Sequence, residues 1–294
     1  MIPLAGLLRD PTQLIRQRYS CRSYQSKPLD AQHLKRLETF SSQLPPAPLG
    51  SSPRFQIISA SSVDRQDLPQ LGTYGFVKNP GAFIVGAIQD DPKSLFDLGY
   101  SMELLVLKAV ELGIGSCWLG VTFTRKRFIG QMNLLPGEMI PAVASLGCPA
   151  ESKAWMDRAA RIISGADRRL PWDHLFFEES WSCPLQKPQA GKFQEPLRLL
   201  RLAPSASNKQ PWRLLRDGNR WHFYLERTPN YPSTLVDLVF NSADLQRIDL
   251  GIAAAHFDLG LTEAGIRGKW VEADLEIAQP EPLREYIITW VPIS

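Results

Sequence analysis

Two tetrapeptides decide the fold: Phe96-Asp97-Leu98-Gly99 in the first half of the chain and Ile248-Asp249-Leu250-Gly251 in the second. Each begins a stretch in which an Asp, a Gly, a Glu, a second Gly and a Trp recur at one offset of 152 positions, as from 97 to 249, without a gap. The recurring pairs are Asp97 and Asp249, Gly99 and Gly251, Glu111 and Glu263, Gly113 and Gly265, and Trp118 and Trp270. Self-similarity at a fixed offset that includes a tryptophan indicates an internal duplication.

Both copies are predicted to form long buried helices, over Leu98–Leu112 and Ile248–Ala264. The two segments are apolar nearly all round, and a helix without a polar face must be buried. Gly113 and Gly265 lie where a glycine commonly ends a helix. We expect the two helices to bury each other and to form a core related by a pseudo-two-fold axis.

Short β-branched and aromatic segments surround the two helices. The predicted strands are Arg54–Ala60, Ala82–Ile88, Pro141–Leu146, Trp212–Leu215, Trp221–Glu226 and Tyr286–Val291. Further helices are expected near Ala31–Phe40 and Pro196–Leu202, with loops over Leu44–Pro53 and Ser180–Gly191. This order of elements indicates the α+β class. Halves of about 1–165 and 166–294, which meet near Ser164–Pro171, share the helical core, so residues 1–294 are predicted to form one compact unit.

The composition is that of an ordinary globular protein, with 294 residues, 44% hydrophobic and 21% charged. A net charge of +3 is too small to indicate a nucleic-acid partner without a clustered basic face, although it suits a small anionic ligand. No apolar run approaches the roughly 20 residues of a membrane helix. The segment Met1–Asp10 lacks the positively charged region of a signal peptide.

Cysteine and histidine usage indicates neither a disulfide framework nor a metal site. The four cysteines contain no CxxC pair, and the four scattered histidines have no zinc-binding spacing. We therefore expect a reducing, cytoplasmic setting.

The first motif is Arg18-Tyr19-Ser20-Cys21-Arg22. Two guanidinium groups and a hydroxyl at this spacing suit an oxyanion, because arginine offers forked donors and a permanent charge. A solvated basic turn before a helix is the alternative, and the motif taken alone favours that alternative.

The second motif is Pro204-Ser205-Ala206-Ser207-Asn208-Lys209-Gln210-Pro211-Trp212. Short polar residues between two prolines keep backbone and side-chain donors in a fixed, non-helical path. A helix cap and turn before a strand would explain Ser205 and Pro211, but it does not explain Asn208 and Gln210 together.

The third motif, Gly113-Ile114-Gly115-Ser116-Cys117-Trp118-Leu119-Gly120, follows the first buried helix. It is not a dinucleotide-binding fingerprint, because Trp118 stands at the position of the third glycine and the motif closes a helix instead of opening one. Close approach of the backbone to a flat ligand and a plain helix cap with a turn both explain it equally well.

Together the three motifs resemble those of the FMN-dependent nitroreductase family, and the chain is similar to the fused, two-half members of that family. The family pattern is Arg-x-Ser-x-Arg near the N-terminus, Pro-Ser-x-x-Asn-x-Gln-Pro-Trp after the first helix, and Leu-Gly-x-Gly-Ser/Thr-x-Trp after a buried dimer helix. In this chain the second motif lies in the second half, and its usual place holds Ala47–Pro53, without Asn or Gln. The resemblance implies a nitroreductase-like fold in which one monomeric chain mimics a homodimer.

The resemblance also implies one FMN site that both halves share. Family homodimers bind each flavin at the subunit interface, with the arginines from one subunit and the proline–serine–asparagine segment from the other. Thirty residues before Pro204, where a second arginine motif would lie, the chain has His174 in the acidic run Asp173–Glu179. Such a run repels a phosphate, so we expect one FMN per chain.

The resemblance assigns roles to individual residues. It implies that Arg18 and Ser20 contact the phosphate or ribityl chain, and that Arg22 lies near the pyrimidine edge, where a cation stabilises the reduced ring. Tyr19 is a candidate contact that stands where the family has Arg or His. Arg169 corresponds to a late basic residue at the phosphate, with Arg168 as the alternative. The remaining candidates are Pro204, Ser205, Asn208 and Gln210 from the turn, and Trp118, Leu119, Gly120 and Val121 beside the reactive N5 of the ring.

The implied reaction transfers hydride from NADH or NADPH to the flavin and then reduces a small-molecule acceptor such as a nitroaromatic compound or a quinone. The hydride step needs no side-chain acid or base, so no catalytic residue is predicted. His256 is expected to be a hydrogen-bonded core histidine and Cys117 a packed small hydrophobic residue. Two alternatives stay open: a flavin-binding or flavin-free protein with a sensing or structural role, and another flavin reaction such as dehalogenation or dehydrogenation.

Overall fold

The computed structural model describes residues 4, 6–60, 77–120, 123, 125–150, 168–229, 243–272 and 283–293. Within these ranges, the α-helices are α1 (Pro11–Gln17), α2 (Ala31–Ser41), α3 (Pro92–Glu111), α4 (Arg125–Met132), α5 (Gln194–Arg201) and α6 (Leu245–Glu263). Short 3-10 helices cover Trp172–His174, Lys187–Phe193 and Ala206–Asn208. Helix α3 begins earlier than predicted, because the Asp91 side chain accepts hydrogen bonds from the backbone N–H groups of Lys93 and Ser94, and Pro92 occupies the first turn.

The first half contains an antiparallel sheet with the strand order β1-β2-β5-β3, in which β4 also pairs with β2. Its strands are β1 (Arg54–Ser59), β2 (Ala82–Gln89), β3 (Gly115–Leu119), β4 (Glu138–Met139) and β5 (Val143–Gly147). One face of this sheet packs on α3. The other face packs on a second apolar cluster that includes Phe128 of α4.

The second half contains a sheet with the strand order β10-β11-β9-β8-β6-β7. Its strands are β6 (Phe176–Glu178), β7 (Ser180–Pro184), β8 (Trp212–Asp217), β9 (Arg220–Glu226), β10 (Gly268–Val271) and β11 (Arg284–Pro292). Strands β6 and β8 are parallel, and the other pairs are antiparallel. The mixture of helices and sheets confirms the predicted α+β class.

Helices α3 and α6 cross at the two repeated glycines. A Cβ atom at Gly99 would overlap the carbonyl oxygen of Ile248, and a Cβ atom at Gly251 would overlap the carbonyl oxygen of Phe96. Since Phe96 and Ile248 are themselves repeat partners, the two close approaches are exchanged by the pseudo-two-fold axis. The prediction that the duplicated helices bury each other is therefore confirmed. Only glycine, which has no Cβ atom, allows the two helix backbones to come this close.

The repeated aspartates each fix one loop to the buried helix pair. Asp97 accepts hydrogen bonds from the backbone N–H groups of Leu49 (2.9 Å) and Ser51 (2.8 Å), and Asp249 accepts one from Ala206, with 3.0 Å to each oxygen. Burial raises the pKa of Asp97 to about 6 and raises that of Asp249 well above its ordinary value. The duplication therefore includes the attachment of a loop to each helix as well as the helix itself.

The local predictions agree with the structure in most places. Gly113 and Gly265 end their helices with left-handed φ angles of 74° and 67°, and Leu44–Pro53 forms no helix or strand. The loop predicted over Ser180–Gly191 is wrong, because β7 and a 3-10 helix occupy it. In addition, the turn interpretation of Gly113–Gly120 omits β3, a buried strand that follows the helix cap.

Among the described residues, none of the helices combines the length and the apolar character that crossing a bilayer requires.

Candidate functional site

The arginine motif continues from α1 as an extended segment along the first sheet. Ser20 forms a parallel bridge with Ser116 of β3, and the backbone N–H of Cys21 donates to the Ser116 carbonyl at 2.8 Å. Tyr19 and Cys21 pack in the second apolar cluster. Because successive side chains of an extended segment point to opposite sides, Arg18, Ser20 and Arg22 lie on the side away from that cluster.

Three polar side chains meet around Glu103 of α3, and we call Arg18, Glu103, Trp118 and His256 the Glu103 cluster. The indole N–H of Trp118 donates to Glu103 Oε2 at 2.8 Å, and His256 Nε2 lies 3.0 Å from Oε1. Arg18 Nε lies 3.7 Å from Oε1, and 6% of the Arg18 side chain is exposed. Glu103 therefore brings together one residue from the arginine motif and one from the tryptophan–glycine motif.

Strand β3 explains how Trp118 comes to point at Glu103. Cys117 and Leu119 face the second apolar cluster, so Ser116 and Trp118 face α3. Beyond the strand, a Cβ atom at Gly120 would lie 2.5 Å from Leu245 Cδ1, so the backbone packs tightly against the start of α6. The predicted contact Val121 lies outside the described residues.

The second-half motif forms a tight turn of unusual backbone conformation. Ser207, Asn208 and Gln210 have φ angles of 50°, 55° and 51°, in the left-handed region that residues other than glycine rarely adopt. Ser205 Oγ accepts a hydrogen bond from the Gln210 backbone N–H at 2.9 Å. Such conformations persist where surrounding contacts impose them, and they concentrate at ligand sites.

The side-chain amides of this turn bind the segment that begins at Arg168. Asn208 Nδ2 donates to the Arg168 carbonyl at 2.9 Å, and Gln210 Oε1 accepts from the Leu170 N–H at 2.9 Å. Gln210 is 3% exposed, and its Nε2 also lies 3.3 Å from Asn208 Oδ1. Gln210 thus helps to fix the position of the Asn208 side chain, and this contact explains why the motif contains both amides.

Arg169 joins the same turn, whereas Arg168 is exposed. Arg169 Nη1 donates to Asn208 Oδ1 at 3.4 Å, and its Nη2 donates to the Leu202 carbonyl at 3.2 Å. Of the two arginines considered from sequence, Arg169 is the one whose side chain contacts the predicted turn. Pro204 is half-buried at the start of the turn.

Helix α5 connects the two groups of predicted residues. His256 Nδ1 lies 3.1 Å from the Leu199 carbonyl, and Arg169 contacts the Leu202 carbonyl at the end of the same helix. Three residues of a helix span about 4.5 Å along its axis. The Glu103 cluster and the Asn208 turn are therefore attached to carbonyls that are three residues apart at the end of one helix.

Sequence reasoning missed Glu103 and used Asp97 and Asp249 only as markers of the repeat. The available clue was a carboxylate within an apolar helix, since a buried charge requires partners. His256 was expected to be a hydrogen-bonded core residue, and its two ring contacts confirm this. Cys117 is 3% exposed and packs among apolar residues, also as expected.

A comparison with known families and structures places these features in context. Residues 10–261 match a family model described as "Putative TM nitroreductase". A crystal structure from Thermotoga maritima, described in similar terms, has a TM-score of 0.60 and 15% identity, and the match covers 96% of this chain and 94% of that one.

Two shorter proteins match about half of the chain. A nitroreductase with bound FMN from Desulfitobacterium hafniense has 18% identity and a TM-score of 0.40, with 48% of this chain and 90% of that chain covered. A nitroreductase family protein from Clostridium novyi also has 18% identity and a TM-score of 0.40, with 49% and 87% covered. A search of the curated proteins finds no significant match.

Proposed function

This chain belongs to the nitroreductase family whose model matches residues 10–261, and we propose that it is an FMN-dependent oxidoreductase. When bound, FMN would accept hydride from NADH or NADPH and pass electrons to a nitroaromatic compound, a quinone or a related small acceptor. The nitroreductase-like fold with its duplicated core supports an oxidoreductase, and the choice of reductant and acceptor is part of the proposal.

The observation that carries the proposal is that successive side chains of the arginine motif point to opposite sides of the extended segment. One side of the segment packs in an apolar cluster, and Arg18, Ser20 and Arg22 are left on the other side. From the second half, Arg169 contacts Asn208. This donor set fits FMN, because guanidinium groups bind a phosphate and an asparagine amide offers both a donor and an acceptor to polar ring atoms.

Each side chain then has a stated task. Arg18, Ser20 and Arg169 would bind the phosphate and ribityl chain, and Arg22 would place positive charge near the ring. The turn Pro204–Gln210 would orient the flavin from the second half, and the segment Trp118–Val121 would line its reactive edge. Tyr19 packs against the second apolar cluster, on the opposite side of the segment, so it would support the segment and would not contact the flavin.

We propose one such site per chain and one chain per functional unit. The place that corresponds to Arg18 in the second half holds the exposed His174. The duplicated helices already bury each other, so the surface that a homodimer would use is internal. The chain would then act as a monomer of one compact unit, in the cytoplasm.

An anaerobic visible spectrum tests the proposed function. Purified protein is expected to be yellow, to release FMN on boiling at one per chain, and to bleach when NADH or NADPH is added under nitrogen. A flavin-to-protein ratio near two would contradict the single site. A yellow protein that neither nucleotide bleaches would favour a flavin-binding role without reductase activity, and a protein that binds no flavin would overturn the proposal.

A further inference from the structure

Glu103 and His256 come from different halves and share a hydrogen bond that is closed to solvent. Both side chains are completely buried, and Nε2 lies 3.0 Å from Oε1. On the other side of the imidazole, Nδ1 faces the Leu199 carbonyl at 3.1 Å. A carbonyl oxygen only accepts, so Nδ1 carries a hydrogen, and the hydrogen between Nε2 and Oε1 is then shared by the pair.

This arrangement fixes the combined charge of the two residues. With the shared hydrogen on His256, an imidazolium faces a carboxylate; with the hydrogen on Glu103, a neutral imidazole faces a carboxylic acid. The sum is zero in both cases. Glu103 consequently does not cancel the positive charge of Arg18, although it lies 3.7 Å from the guanidinium Nε.

The duplicated position in the other half lacks this pair. The repeat partner of Glu103 is Ala255, and the repeat partner of His256 is Leu104. The second half instead has an Asp258 cluster, in which Asp258 Oδ2 accepts hydrogen bonds from the Tyr100 hydroxyl at 2.6 Å and the Trp270 indole at 3.1 Å. The hydroxyl and the indole are both neutral groups, so the Asp258 cluster offers a matched comparison.

We infer that His256 is a positioning residue for the cofactor phosphate: by supplying the hydrogen that offsets Glu103, it keeps Glu103 from opposing the attraction between Arg18 and the anionic ligand. This inference rests on the proposed function, because the ligand is FMN bound beside Arg18. It assigns a task in the shared site to a residue of the second half that does not itself touch the ligand.

The test compares FMN with riboflavin, which lacks the phosphate, by quenching of flavin fluorescence in the flavin-free protein. In His256→Gln, the amide can still donate to Glu103 but brings no titratable hydrogen, so Glu103 becomes a plain carboxylate beside Arg18. We expect FMN to bind about tenfold or more weakly, from the lost attraction between Arg18 and the phosphate, and riboflavin to bind as before.

A second substitution separates charge from structure. In the double variant with Glu103→Gln, the carboxylate is gone and no longer opposes the attraction between Arg18 and the phosphate, so most of the FMN affinity should return. The single variant Glu103→Gln completes the cycle, and Asp258→Asn, in the Asp258 cluster, is the control that should leave FMN affinity unchanged. Melting temperatures of all variants report folding.

The outcomes distinguish the inference from the proposed function. If the parent protein binds neither FMN nor riboflavin, both are overturned. If it binds FMN and His256→Gln binds it equally well, the inference alone is wrong. Equal weakening of FMN and riboflavin that the double variant does not reverse would show a purely structural role for His256, and this too would overturn the inference.

Discussion

Trp118 and Trp270 occupy equivalent positions in the two halves, and each donates its indole N–H to a carboxylate of a central helix. In the first half the acceptor is Glu103, which also contacts Arg18 and His256. In the second half the acceptor is Asp258, whose pKa is raised by burial and which also accepts from Tyr100. The comparison shows that the equivalent tryptophans keep a carboxylate partner in both halves, and that in the first half Arg18 and His256 join this carboxylate.

The most severe test of the symmetry is substitution of the crossing glycines. Gly99→Ala and Gly251→Ala each introduce a Cβ atom that overlaps a carbonyl oxygen of the opposite helix. Each should lower the free energy of unfolding by about 3 kcal/mol or more, as large steric defects in a core do. Urea denaturation measures both, and Gly130→Ala, at an open and exposed position, should change stability by less than about 1 kcal/mol. A large loss for only one of the two crossing glycines would contradict the reciprocal contact.

The asymmetry of the halves is tested at the arginine motif. Arg18→Gln should weaken FMN binding by about 100-fold, since a buried charge-assisted contact is removed. His174→Gln, at the corresponding place in the second half, should leave the dissociation constant unchanged, because His174 is exposed and outside the proposed site. Fluorescence titration of the flavin-free variants measures both. Equal effects at the two positions would mean that the halves contribute equally.

The raised pKa of Asp97, one of the two repeated aspartates, should make the free energy of unfolding depend on pH. Because burial raises the pKa of Asp97 to about 6 in the folded protein, the folded state binds more protons than the unfolded state between pH 4 and pH 6. Stability should therefore fall as the pH rises through this range, by up to about 3 kcal/mol for Asp97. Urea denaturation of Asp97→Asn should show a shallower decline, whereas the exposed Asp173→Asn should retain the parent profile. Identical slopes for the parent and Asp97→Asn would count against this role.

The smallest expected effect concerns the two loops that Asp97 and Asp249 bind. Asn208→Ala removes the contacts with Arg168 and Arg169 and should weaken FMN binding about tenfold, the effect of one to two lost hydrogen bonds. Ser52→Ala, in the corresponding first-half loop, removes an exposed hydroxyl and should have no measurable effect. If Ser52→Ala were the more damaging variant, the assignment of the site to the second-half loop would be wrong.

The fold was predictable from sequence because the duplication marks the helices that pack on each other. Asp97 and Asp249 each bind a loop, and Gly99 and Gly251 each face a carbonyl oxygen of the opposite helix, so these repeated residues mark equivalent contacts in the two halves. The short strand β3 was missed because Gly115 and the small residues after it favour a turn, and its strand conformation depends on pairing with β5. Tertiary pairing of this kind has no local sequence pattern.

The candidate site was predictable to a lesser degree. The motif pattern identified Asn208, Gln210 and Arg169, which the structure brings together. Glu103 was not identified, because its importance depends on three side chains that are distant in sequence and converge only in the folded chain. The left-handed backbone at Ser207, Asn208 and Gln210 was likewise hidden, since no glycine marks it.

The close crossing of α3 and α6 has a consequence for how such a molecule can evolve. In a true homodimer, every new side chain near the axis appears twice and faces the copy of its own neighbourhood, so an acid and its partner must be accommodated on both sides at once. A fused chain acquires each change once. Pairs such as Glu103 with His256, and Tyr100 with Asp258, can then arise independently on either side of the axis, and one side is free to lose a ligand that the other keeps.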